Sequence, residues 1–359
     1  MKIHFGIFPQ FNQIESLSLL KSSCISILAS ILAVGGVIGS AKAATKNSHV
    51  PKYDHIFEIV MENHAYDVIG NPDAPRITAL AQNYGLATNY YALTHPSEPN
   101  YVGLIGGSYF GIQDDNFYRD NRVDAPSLAD QLESKGLTWK SYQQSLPYTG
   151  YPGEVFPDEN NKLYASKHNP FLNFAHVQDT PEEFQNIVAD TQLAEDLRSG
   201  QVPNFGMIVP DICHDMHGNK QDCPKPTTPG DNNDRSLVRN GDTYVGSIVD
   251  QIMTSDIWSR GNNAIVITWD EDDKTQNNHI PTIVITNNGP RGIQDNTLYS
   301  HYSLLQTVQK AFDLGCLQNT CDIENVKSMT PLFALPTPAT STAKPPYVWK
   351  WHRFGKNVE

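Results

Sequence analysis

At 359 residues and 39% hydrophobic content, the chain can bury one large core or two domains of ordinary size. Its formal net charge of −13 argues against nucleic acid as the main partner, because phosphate backbones attract basic patches. A small phosphate ester is not excluded, since its site can be locally positive.

The chain opens with Lys2 and Lys21, an apolar run of 14 residues from Ile25 to Ile38, and Ala41-Lys42-Ala43. A basic start, a short apolar segment and an A-x-A site predict a signal peptide over residues 1–43. The run is short for a stable membrane span, which leaves a retained anchor as the alternative. Cys24 precedes the run, which disfavours a lipoprotein signal. Loss of Lys2, Lys21, Lys42 and Glu15 takes the mature charge to about −15. An exported protein, periplasmic or secreted, is expected.

Four apolar runs read as strands buried on both faces: His55 to Met61, Phe205 to Val209, Ala264 to Trp269 and Pro281 to Thr286. Three of them run straight into polar residues: Glu62-Asn63, Pro210-Asp211 and Asp270-Glu271-Asp272-Asp273. Helical spacing lies between the strands. Ile77, Leu80, Ala81 and Tyr84 share a face that Gly85 ends. Ser127 and Asp130 start a helix that stops at Gly136. Apolar positions recur from Asp242 to Met253 and from His301 to Phe312. The segment from Gly111 to Leu172 reads as loops and short helices. Strands alternating with helices predict an α/β domain over residues 44–335 with a mainly parallel sheet. Ligands of such sheets gather beyond the carboxyl ends of the strands.

From Pro336 a Pro/Thr-rich linker leads to a tail with Trp349, Trp351, Phe354, Lys350, Arg353 and Lys356. This segment, residues 336–359, suits contact with anionic lipid or polymer, or packing onto the domain. Four cysteines remain after cleavage. Their proximity suggests the disulfides Cys213–Cys223 and Cys316–Cys321, with a zinc site as the rival reading.

Glu62-Asn63 and Asp270-Glu271 offer oxygen ligands suited to a hard divalent cation. Strand-end carboxylates also serve as helix caps or solvated turn residues, and that reading is preferred for Asp272, Asp273 and Lys274. Ser97 sits in "THPSEPNY" between Pro96 and Pro99, which stiffen the backbone on both sides. A nearby cation would make its hydroxyl a better nucleophile. His214, Asp215 and His217 cluster in "CHDMHG", able to contact phosphate or move protons, or to form a polar loop. His301 opens the last helix, facing an anionic substrate or serving as a buried hydrogen-bonded residue. His279 is assigned to structure. There is no G-x-S-x-G elbow, G-x-G-x-x-G or P-loop pattern.

In order along the chain, "MENHAYDVIGNPDAP", "THPSEPNY", "DMHG", "WDEDD" and "SHYSLLQTV" resemble bacterial secreted acid phosphatases. These belong to the phosphoesterase family, which includes non-specific phospholipases C and is a branch of the alkaline-phosphatase-like superfamily. The resemblance runs from about His55 to Leu314. It implies a three-layer α/β/α fold and metal-assisted hydrolysis of phosphate esters. It implies metal ligands at Glu62, Asn63, Asp270 and Glu271, for one essential divalent ion with room for a second. Ser97 becomes the nucleophile, and His95, Asp215 and His217 handle phosphate or protons. Asn100 and His301 are the expected substrate contacts, and the substrate is a small phosphate ester or a phospholipid. The expected function is a secreted phosphomonoesterase working through phosphoserine. A phospholipase C and a non-catalytic binding protein on the same fold are the alternatives.

Overall fold

The structure is a computed structural model that describes residues 49–335. The expected signal peptide and C-terminal tail lie outside the described residues. Fourteen elements frame the site. In chain order they are β1 (His55–Met61), α1 (Pro75–Asn83), β2 (Gly85–Ala87), α2 (Ser97–Gly106), α3 (Leu128–Ser134), β3 (Trp139–Gln143) and β4 (Ile187–Ala189). They continue with α4 (Gln192–Ser199), β5 (Phe205–Val209), α5 (Asn232–Met253), β6 (Asn263–Trp269), β7 (Thr282–Thr286), β8 (Ile293–Asp295) and α6 (His301–Ala311).

The strands form one sheet in the order β8-β2-β7-β6-β1-β5-β3-β4. At its centre β1 runs parallel to both β5 and β6. β3 and β4 extend the parallel part, while β7 runs antiparallel to β6 and β2. Every residue of β5, β6 and β7 is buried. Strands alternate their side chains between two faces, so complete burial means that both faces are covered. The pairs α1 with α5 and α2 with α6 pack as helical cover. The expected mainly parallel α/β/α architecture is therefore present.

Several local expectations hold. Ser127 and Asp130 form the capping box of α3, and Ile77 and Ala81 are buried on one face of α1. Both expected disulfides, Cys213–Cys223 and Cys316–Cys321, are formed, which removes the zinc reading of these cysteines.

Other expectations need correction. The stretch from Gly111 to Leu172 contains β3, a full member of the sheet. Its sequence "WKSYQ" lacks an apolar run because its polar atoms are satisfied inside. Gln143 Nε2 donates to Ser141 Oγ at 2.9 Å, and Ser141 Oγ donates to Asn169 Oδ1 at 3.0 Å. Lys140 Nζ and Tyr142 OH both donate to Asp196. The helix expected from Asp242 starts at Asn232, where Asp231 caps it by accepting from Asn233 N and Asp234 N. The fourth strand begins at Thr282, not Pro281, because proline lacks the N–H a ladder needs.

Ser97, between the two prolines, is the first residue of α2. Pro99 fits there because the first-turn N–H groups have no intrahelical acceptor in any case. Gly103 lets α2 approach Leu93, whose Cδ1 would lie 2.4 Å from an added Cβ. Gly107 ends the helix in the left-handed region at φ 72°.

Glu58, in the middle of β1, is 1% exposed, and its Oε1 has no hydrogen-bond partner. Burial lifts its carboxyl from near 4.5 to about 8. Between those values the unfolded chain has lost this proton while the folded chain keeps it. Stability therefore falls as pH rises through that window and levels off above it. Glu58→Gln should flatten this slope: the melting-temperature difference between variant and parent should shift in the variant's favour from pH 5 to pH 8. A difference independent of pH would contradict a neutral buried Glu58.

Candidate active site

β1, β5 and β6 lie side by side and parallel, so their carboxyl ends share one edge of the sheet. Glu62 follows β1, Asp270-Glu271 follow β6, and the loop to Asp215 follows β5. Backbone bonds tie the three ends together. Glu62 N donates to Asp215 O at 2.8 Å, Asp270 N to Met61 O at 2.9 Å, and Asn63 N to Asp270 Oδ1 at 3.2 Å. Asn63 takes a left-handed conformation, φ 51°, which asparagine tolerates better than most residues. This bend lets neighbouring side chains turn to one side of the strand end, and the Asn63 amide touches the Glu62 carboxylate.

At this edge Asp270 Oδ2 has no hydrogen-bond partner, while the single imidazole of His168 stands against both Glu62 Oε1 and Asp215 Oδ2. These residues are at most 2% exposed. His168 Nε2 lies 2.7 Å from Glu62 Oε1, and its Nδ1 lies 3.5 Å from Asp215 Oδ2. One imidazole does not balance three buried carboxyl groups, so the cluster is short of positive charge. Carboxylates and an imidazole are the donor types that suit a divalent cation. Burial, and then the charge of Glu62, raise the carboxyls of Asp215 and Asp270. The same causes push Glu271 to about 9. Burial lowers His168 and favours the neutral ring that a metal ligand requires. A tighter trio elsewhere, Glu133, His176 and Glu183, differs in kind. Its groups are half-buried and already bonded, Glu133 to Trp139 and His176, and Glu183 to Asn186.

Ser97 joins this edge through two bridges. Lys167 Nζ lies 3.4 Å from Ser97 Oγ, and the next residue is His168. On the other side, Asn100 and His95 flank the serine in sequence and both reach Glu271 Oε2, at 3.2 and 3.0 Å. At the start of α2 the Ser97 hydroxyl also lies at the positive end of a helix dipole.

The expected roles of Asn100 and His301 change. Asn100 is fully buried; its Oδ1 accepts from Leu93 N and Thr94 N, and its Nδ2 donates to Thr94 O and Pro96 O. It braces the serine loop and is not open to a substrate. His301 is also fully buried: Nε2 donates to the Asp270 carbonyl at 2.7 Å, and Nδ1 lies 3.1 Å from Tyr90 OH. It positions Asp270 from behind.

His95 borders a depression of about 470 Å³ lined also by Leu93, Asp272, Lys274 and Asn278. Its Nε2 lies 3.2 Å from Asp272 Oδ1. Burial holds its pKa below the ordinary imidazole value, although Asp272 opposes this. Asp272 reads from sequence as a helix cap or a solvated turn residue. It is fully buried and accepts from the N–H groups of Lys274, Gln276 and Asn278, so it is a turn residue of the interior. His217 lies 6.2 Å from the His168 ring, with Nδ1 donating to Gly218 O and Nε2 accepting from Lys225. Burial drives its pKa to about 3, so it is neutral. His214 is paired with Asp211 at 2.7 Å. His279 stacks on Tyr66 and Tyr91, in keeping with its structural assignment.

Sequence reasoning missed Lys167 and His168, and with them Asp115 and Lys225. The available signal was "SKHNP", two adjacent basic residues before a turn in a stretch otherwise rich in acid and amide groups.

The family model described as the phosphoesterase family matches residues 69–315, starting just after Glu62 and Asn63. A phosphatidylinositol-3-phosphatase from Mycobacterium tuberculosis is 30% identical over 81% of this chain and 87% of its own. A probable acid phosphatase from Kluyveromyces lactis is 27% identical over 88% of this chain and 67% of its own. An acid phosphatase from Aspergillus fumigatus is 29% identical over 74% of this chain, which spans only 56% of that relative. Among solved structures, an alkaline phosphatase superfamily protein from Vibrio parahaemolyticus superposes with a TM-score of 0.50 at 13% identity. That match covers 76% of this chain and 71% of the other, and it supports the fold. With this fold, and with the family match spanning most of its length, the chain belongs to the phosphoesterase family.

Proposed function

We propose that the chain is an exported, metal-dependent phosphomonoesterase of the acid phosphatase type, working through a phosphoserine intermediate. One observation carries the reading: the Ser97 hydroxyl is tied through Lys167 to the neighbouring His168, which lies against the buried carboxyl groups of Glu62 and Asp215. The relatives' activities agree with it, since each is a phosphatase. The mycobacterial relative acts on a phosphoinositide, so a phosphorylated lipid headgroup belongs in the substrate panel.

Glu62, Asn63, Asp270 and Glu271 would hold the cation, with Asp215 and His168 as additional candidates. A bound divalent ion supplies positive charge for the phosphate and acidifies a coordinated hydroxyl. The chain's own groups do the rest. Ser97 Oγ forms a bond to phosphorus as the ester oxygen leaves on the opposite side. His95, against Glu271, would hand a proton to the departing alkoxide. Water then attacks the phosphoserine, the Ser97–phosphorus bond breaks, and inorganic phosphate and the free hydroxyl are released. Asn100 and His301 keep Ser97 and Asp270 in register from behind.

Ser97→Ala should keep the parent's melting temperature but lower kcat on a generic phosphomonoester by at least about 1,000-fold, on the scale of losing a nucleophile. Activity within tenfold of the parent would refute the mechanism. Chelation of the purified chain should abolish turnover and lower the melting temperature, and adding back a divalent ion should restore both. Full activity after exhaustive chelation would remove the cation from the account.

A further inference from the structure

Beside Ser97 lies a cation to which the catalytic steps above give no role. Lys167 Nζ is 3.4 Å from Ser97 Oγ and 2.8 Å from Asp115 Oδ2. The other Asp115 oxygen accepts from Glu98 N at 3.0 Å, in the first turn of α2. One carboxylate thus fixes the lysine to the helix start that carries the serine. The Lys167 side chain is only 12% exposed. A single turn, Ser166–His168, divides its labour: Lys167 approaches the hydroxyl, while His168 lies against Glu62. Lys225, the second ammonium of the site, donates to His217 instead.

An attacked phosphorus approaches to about 3–3.5 Å of the nucleophile before reaction. Its non-bridging oxygens then fall within donor reach of an ammonium already near that nucleophile. The surroundings are otherwise acidic, with Glu62, Asp115, Asp215, Asp270 and Glu271 all close. A doubly charged monoester needs this extra positive charge more than a singly charged diester does. We propose that Lys167, clamped by Asp115, contacts the phosphoryl oxygens and selects phosphate monoesters over diesters. This inference rests on the phosphoester hydrolysis proposed above and adds a residue that sets its substrate class.

The test measures kcat/KM on 4-nitrophenyl phosphate and bis(4-nitrophenyl) phosphate, with inhibition by inorganic phosphate, for the metal-loaded parent, Lys167→Met and Lys167→Arg. Lys167→Met should lose roughly 100-fold on the monoester, the scale of losing one charge-stabilising donor, and less than about 10-fold on the diester. Phosphate should inhibit it at least about tenfold more weakly, while Lys167→Arg should keep most of the parent's values. Where the diester is not turned over at all, the phosphate inhibition decides. Monoester activity of Lys167→Met within threefold of the parent, or equal losses in both variants with unchanged phosphate inhibition, would overturn the inference. A metal-loaded parent inert toward the monoester would refute the underlying function itself.

Discussion

The site is organised around an electrostatic problem. Glu62, Asp215 and Asp270 are buried together at one sheet edge, with one imidazole, His168, against the first two and Asp270 Oδ2 unpartnered. Two like charges 4 Å apart repel by about 4 kcal/mol even at an effective dielectric near 20, and each unsatisfied buried group adds about 1–3 kcal/mol. A fold does not retain such an arrangement for stability. Protons relieve part of it, as the raised carboxyls of Asp215, Asp270 and Glu271 show. A divalent cation would relieve it more completely, and would then draw an anionic ester toward the edge that Ser97 borders.

The scaffold makes this convergence unavoidable. Three adjacent parallel strands end together, and backbone bonds between Glu62, Asp215, Met61 and Asp270 fix those ends relative to one another. The serine comes from elsewhere, at the first turn of α2, and is brought to the edge by Lys167, Asn100 and His95. The groups behind the edge matter as much as those facing it. His301 holds the Asp270 carbonyl, and Asn100 holds the loop before Ser97. Both are fully buried because their task is positional.

Much of this was legible in the residues themselves. Continuous apolar runs followed by Glu62-Asn63 and Asp270-Glu271 located the strands and their functional ends, because burial on both faces leaves that trace. β3 left none, since Ser141 and Gln143 satisfy each other and Asn169 inside the core. Lys167 and His168 were invisible for a different reason. Lys167 lies 70 residues from Ser97 in sequence, and the contact is made only when the long middle segment folds over the edge. A helix start left His301 open between an anion contact and a buried hydrogen-bonded residue, and its two ring nitrogens, bonded within the core, fit the second. Asp272 is the turn residue its place suggests, but three backbone N–H groups hold it inside instead of in solvent.

The central claim is that a cation and the Ser97 hydroxyl meet at this edge. The most direct measurement is an anomalous difference map from crystals of the chain grown with Mn²⁺. The account predicts a peak among Glu62, Asp270 and their neighbours, within reach of one phosphate held against Ser97. Full saturation with Mn²⁺ and no peak there, or a peak only at Glu133, His176 and Glu183, would contradict it.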